Sequence, residues 1–167
     1  LTEASAIGHA LTLRRPLRIE SFGPRRYAVD GTPTDCVNIA LKVILEGGLP
    51  DLVASGINKG YNLGDDVTYS GTVAGALEAA LLGIPALAVS LGRGGLPGAD
   101  FGPAAQVAAA VAEAMIAKPL PSRVFLNVNV PPGELKGHRT TVQGLRNHET
   151  SITTRVDPRG RSYYWID

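Results

Sequence analysis

The sequence predicts an α/β fold, a Rossmann-like parallel sheet with crossover helices, followed by an antiparallel hairpin region. Two observations carry this. Short continuous apolar runs alternate with segments of helical apolar spacing, the pattern of strands buried on both faces and joined by helices. The aromatic share is 5% while Ala, Val, Leu and Gly carry the apolar side, a balance that suits layered helices and buried strands better than a β-sandwich.

The elements follow in order. Leu17-Arg18-Ile19-Glu20 and Arg26-Tyr27-Ala28-Val29 alternate and can pair across a Gly23-Pro24 turn. A first helix follows Thr32, which can cap it, with Pro33 at the first helical position. Its apolar stripe is Val37, Ala40, Leu41, Ile44 and Leu45, and Gly47-Gly48 stops it. A second helix starts at Ser70-Gly71-Thr72, lays down Val73, Ala76, Leu77, Ala80 and Leu81, and closes at Gly83. A third runs from Pro103 to Ala117 with Ala104, Val107, Ala108, Val111, Ala112 and Met115 on one side. Between them, residues 52–55, 86–91 and 124–130 read as buried strands, the last ended by Pro131-Pro132. After Pro132 polar and apolar residues alternate around an Asp157-Pro158-Arg159-Gly160 turn signal. The division expected is an α/β core over 1–132 and a β-hairpin extension over 133–167.

Bulk properties exclude several classes of function. The net charge of +1 gives no electrostatic footprint for duplex nucleic acid or an anionic membrane. One cysteine rules out an internal disulfide and a multi-cysteine zinc site, and fits a cytoplasmic protein. No run approaches the roughly 18 apolar residues of a membrane span. The start, Leu1-Thr2-Glu3-Ala4-Ser5, carries no signal-peptide pattern and reads as a cut inside a longer protein.

The densest polar signal runs from Ser55-Gly56-Ile57-Asn58 through Asn62-Leu63-Gly64-Asp65-Asp66 to Ser70-Gly71-Thr72. It lies between a predicted strand and a predicted helix N-terminus, where parallel sheets bind ligands and where helix amides favour anions. Capping alone accounts for Ser70 taken by itself. The whole loop is longer than a plain connection of about four to six residues and rich in side-chain oxygens. It matches neither a Walker loop nor a dinucleotide fingerprint. For Asp65-Asp66 a solvated acidic turn outweighs a metal-ligand role, and Cys36 belongs with the core. His9, His138 and His148 are dispersed, and no Gly-x-Ser-x-Gly elbow is present, so zinc and serine-hydrolase chemistry are disfavoured.

Several strings, in order along nearly the whole chain, resemble the SurE family of nucleotidases. They are Ser5-Ala6-Ile7-Gly8-His9-Ala10-Leu11-Thr12, Gly31-Thr32-Pro33-Thr34-Asp35-Cys36, the 55–74 segment, Gly83-Ile84-Pro85-Ala86, Asn127-Val128-Asn129-Val130-Pro131 and Asp157-Pro158-Arg159-Gly160 with Tyr164-Trp165-Ile166. The resemblance implies hydrolysis of nucleoside 5′- and 3′-monophosphates, extending to short polyphosphate, with one divalent cation, Mg²⁺ or Mn²⁺. It assigns Ser5 and Asn58 to the metal. It assigns Asn62 and Ser70 to catalysis, with Asn62, Ser70, Gly71 and Thr72 binding the phosphate. In the family an aspartate pair in an Asn-Asp-Asp-Gly string completes the metal site, and no such string occurs in these 167 residues. The expectation is therefore a core incomplete at both ends, inactive by itself, from a parent nucleotidase that forms a homodimer or tetramer. A non-catalytic nucleotide- or anion-binding fragment of the same fold is the alternative.

Overall fold

The computed structural model describes residues 6–46, 48–92, 100–145 and 151–166. Ser5 and His148 lie outside the described residues. The chain opens with an antiparallel pair, β1 (Ile19–Ser21) and β2 (Tyr27–Val29), followed by α1 (Pro33–Ile39), which runs on into a π-helical turn, Ala40–Ile44. Then come β3 (Val53–Lys59), a 3-10 turn (Gly64–Tyr69), α2 (Gly71–Leu81), β4 (Ala86–Leu91), α3 (Gly102–Ala117) and β5 (Phe125–Val130). Strands β3, β4 and β5 form a parallel sheet in that order, with β4 central. A separate antiparallel pair, β6 (Ile152–Val156) and β7 (Ser162–Ile166), closes the described chain.

Every residue of β4 is buried, and its alternation sorts the core into two layers. Ala86 and Ala88 face α2, packing with Val73, Ala76 and Ala79. Leu87 and Val89 face the other way, onto Met115 and the Val111 side of α3. Alanine on both sides of the first interface lets α2 approach closely. The larger side chains on the second contribute about 1.5–3 kcal/mol each when fully buried. Beyond them Leu91, Ala104 and Val130 form a smaller cluster near the carboxyl end of the sheet.

Some elements depart from the expectations. Strand β3 continues through Asn58 and Lys59, four residues further than its apolar run, with a register shift against β4 between Ser55 and Asn58. The shift brings Asn58 beside Ser90. The polar Asn58 and Lys59 still find strand partners because β4 supplies Ser90 and Leu91 opposite them. In the first helix only Leu41 of the expected stripe is buried, and Leu45 is exposed. The expected continuous loop before α2 contains the 3-10 turn, held by a Thr68 hydroxyl that donates to the Asp65 carbonyl. All ten residues of β6 and β7 are exposed, Trp165 included.

One buried carboxylate ties the N-terminal segment to this frame. Thr32 caps α1, and Asp35 returns the bond to the Thr32 N–H, a reciprocal capping box. The second Asp35 oxygen accepts from the Thr12 N–H at 3.0 Å, and the Thr32 hydroxyl donates to the Ala10 carbonyl at 2.7 Å. Burial acts to raise the Asp35 pKa, but the hydrogen bonds from Thr12 and Thr32 outweigh it and hold the carboxyl below the ordinary aspartate value. A depressed native pKa contributes stability above the unfolded value, lost as pH falls through the native one. Asp35→Ala is expected to destabilise the protein by about 3 kcal/mol, since two N–H groups lose their acceptor. It is also expected to flatten the acid limb of stability below about pH 4. Urea melts at pH 7 and at pH 3 check both. An unchanged difference between the two pH values would mean that other carboxylates govern the acid limb.

Candidate functional site

Strand β3 ends at Lys59, and the chain turns across the carboxyl end of the sheet before entering the 3-10 turn and α2. This path encloses a pocket of about 460 Å³. Asn58, Asn62 and Ser70 line it, three of the residues expected there. Lys59, Tyr61, Asp66 and Tyr69 complete the walls, with Ala6 arriving from the N-terminal segment.

Each polar side chain has a defined role locally. The Asn58 amide nitrogen donates to the Gly60 carbonyl at 3.0 Å, which leaves its amide oxygen as the atom available to a ligand. The Ser70 hydroxyl oxygen accepts from the Val73 N–H at 3.2 Å and so caps α2. Capping uses a lone pair, and the hydroxyl proton stays available to a ligand oxygen. Asn62 is buried. Its amide nitrogen donates to the Ser90 hydroxyl at 2.7 Å, and its backbone N–H donates to Asn129 Oδ1 at 2.9 Å.

The N-terminal segment is laid against the pocket by contacts far apart in sequence. The Gly8 N–H donates to the Tyr69 carbonyl at 2.9 Å. His9 pairs with Glu78 of α2 at 2.6 Å, and Glu78 also accepts from Asn38 of α1 at 2.6 Å. Ala6, brought to the pocket edge, is the chain neighbour of Ser5.

Two expected residues have other surroundings. A Cβ on Gly71 would lie 3.1 Å from Pro33 Cγ, so its missing side chain serves the contact between α1 and α2. Thr72 lines a different cavity, an apolar groove of about 700 Å³ between β3 and α1, with Val37, Leu41 and Val53. Cys36, expected in the core, is half-buried on that groove's wall. Burial first, and the Asp35 charge second, raise its pKa, which keeps it a thiol at neutral pH.

Sequence reasoning assigned no site role to Ser90, Asn127 or Asn129. The signal was present: two asparagines with strand spacing interrupt the apolar run of β5. A polar pair on one face of a buried strand needs partners.

The family model described as Survival protein SurE matches residues 1–150. The chain belongs to the SurE family. A protein named 5'-nucleotidase SurE from Anaeromyxobacter dehalogenans (strain 2CP-C) is 54% identical over 164 residues, covering 98% of this chain and 64% of the relative. Another of that name from Geobacter sulfurreducens is 54% identical over 167 residues, covering 98% and 63%. The crystal structure of the SurE protein from Aquifex aeolicus matches with a TM-score of 0.83 at 42% identity, covering 98% of this chain and 66% of that one. The chain thus spans about two thirds of the length of these SurE proteins. The parallel sheet with flanking helices is the SurE fold over that span.

Among the described residues no helix is long and apolar enough to cross a membrane. No group of three or more His, Cys, Asp and Glu side chains is assembled among them either.

Proposed function

We propose that the natural protein is a metal-dependent nucleotidase that releases phosphate from nucleoside 5′-monophosphates, and from 3′-monophosphates at the same pocket. The observation that carries this is the 54% identity, over 98% of the chain, to proteins named 5'-nucleotidase SurE. The geometry supports it: amide and hydroxyl groups converge on one pocket beside a helix N-terminus, the chemistry that receives a phosphoryl group.

The donor set fits one side of a site for Mg²⁺ or Mn²⁺. Asn58 offers an amide oxygen, a suitable neutral ligand for a hard cation, and Ser5 would add a hydroxyl. Such a cation polarises a phosphoryl oxygen and lowers the pKa of a bound water. Ser70 would donate its hydroxyl proton to a phosphoryl oxygen, while the first amides of α2 favour the dianion. Asn62 would hold the phosphoryl group against that end of the helix. Lys59, on the pocket wall, adds positive charge. Two neutral oxygens hold a hard cation weakly without carboxylates. The 167-residue chain by itself is accordingly proposed to be inactive, and the longer natural protein active.

Phosphate release from a nucleoside 5′-monophosphate with Mn²⁺, compared between this chain and the natural full-length protein, tests the reading. Turnover in the longer protein alone, abolished by a chelator, supports it. Turnover in the 167-residue chain would relocate the metal to another carboxylate, and silence from both would favour an anion-binding role. In the full-length protein Asn58→Ala is expected to weaken Mn²⁺ binding and turnover together, by about 10- to 100-fold, as one ligand oxygen is lost. Calorimetric Mn²⁺ titration checks it, and unchanged affinity would remove Asn58 from the metal.

A further inference from the structure

Asn62 is held by its backbone and its side chain together, and the three residues that hold it come from the two neighbouring strands. Asn129 accepts from the Asn62 N–H at 2.9 Å and donates to the Asn62 carbonyl at 3.1 Å. It therefore engages both backbone groups of the residue, as a paired strand would. Asn127 adds a second donor to the same carbonyl at 2.9 Å, and Ser90 receives the side-chain amide at 2.7 Å.

The sheet register explains why these three meet. Ser90 of β4 stands opposite Asn129 of β5, and Asn127 lies two residues earlier on the same face. That face also carries Ala86, Ala88 and Phe125, which pack with α2. Near the carboxyl end of the strands the apolar face turns polar, and the loop between β3 and α2 is laid over it. The two residues before Asn62 are fixed as well. The Gly60 N–H donates to the Leu91 carbonyl at 2.7 Å, and the Tyr61 ring lies over Gly92, where any Cβ would collide with it.

We propose that Asn129, with Asn127 and Ser90, is a positioning residue for catalysis: it fixes the Asn62 segment so that the pocket is formed before substrate arrives. This rests on the phosphate-binding role of Asn62 proposed above. Without the clamp, residues 60–63 would have to be ordered by the substrate itself, and displacing a contact by 1 Å costs about 100-fold in rate. The clamp touches no ligand. Its effect would appear in the order of the loop and in kcat, with the metal site left intact.

The test is Asn129→Asp in the natural full-length protein. The variant keeps the shape and the acceptor for the Asn62 N–H, and it sets a carboxylate oxygen against the Asn62 carbonyl. Expected are a fall in kcat of about 30-fold, Mn²⁺ affinity within about twofold, and amide exchange at residues 60–63 faster by about tenfold. Exchange in β4 and α3 should stay as it was. Should Asn129→Asp fail to fold, Asn127→Ala removes one donor only and is expected to move the same readouts less. Unchanged exchange at 60–63 would overturn the clamp. Faster exchange with kcat within about twofold would reduce it to a stabilising contact and overturn the positioning role. If the unsubstituted protein released no phosphate, the nucleotidase reading would fail separately. Binding of inorganic phosphate would then replace kcat, with weakened binding in the variant supporting the clamp and unaltered binding overturning it.

Discussion

Ser70→Ala in the natural full-length protein is expected to lower kcat on a nucleoside 5′-monophosphate by about 100-fold, the usual cost of losing one donor to developing charge. Mn²⁺ affinity should stay within about twofold. The separation follows from geometry. The Ser70 oxygen is engaged by the Val73 N–H, which leaves its proton available to the pocket that Ser70 and Asn62 both line. The substitution also removes the α2 cap, worth about 1 kcal/mol, which a thermal melt will register without unfolding the protein. Ser70→Asp separates the two losses, because an aspartate caps a helix as well as serine but repels a phosphate dianion. Its melt should recover while its turnover does not. Loss of Mn²⁺ binding in Ser70→Ala would show instead that the hydroxyl belongs to the metal.

Gly56→Ala is expected to cost about 4 kcal/mol, from backbone strain of roughly 1–3 kcal/mol and overpacking of similar size. Gly56 sits in β3 at a φ of 134°, a conformation closed to side chains, and a Cβ there would collide with the Val89 carbonyl of β4. A backbone atom of the central strand cannot step aside. The register shift between Ser55 and Asn58 passes through this residue, so the cost falls on the turn that brings Asn58 to the pocket. Chemical denaturation measures it. A loss below about 1 kcal/mol would mean that β3 can straighten there without harm.

Both predictions concern residues already conspicuous in the sequence, and the contrast with others shows what a sequence carries. Periodicity located α2, α3 and β4 closely, because their burial depends on local spacing alone. It stopped β3 too early because Gly56, Asn58 and Lys59 look like loop chemistry. Their place in the strand depends on the neighbouring ladder of β4, which local spacing does not encode. Within the site, Asn58, Asn62 and Ser70 were legible as a cluster on one loop. Thr72, two residues past Ser70, turns to a separate groove, because a helix rotates successive side chains by about 100°. The Asn129 clamp was hidden for the opposite reason: its partner is 67 residues away, and only the strand register brings them together.

That distance has a consequence for how the protein comes into being. Asn62 and the helix cap at Ser70 are synthesised early, yet Asn62 cannot be seated until β5 has emerged and added to the far side of β4. Contacts of such long sequence separation form late, after the loop-closure entropy has been met. A nascent chain that ends before Asn129 therefore carries Asn58, Asn62 and Ser70 without the seated pocket they line. Maturation of the pocket becomes a report on completion of the sheet, and a half-made protein has no preorganised cleft at the carboxyl end of its strands.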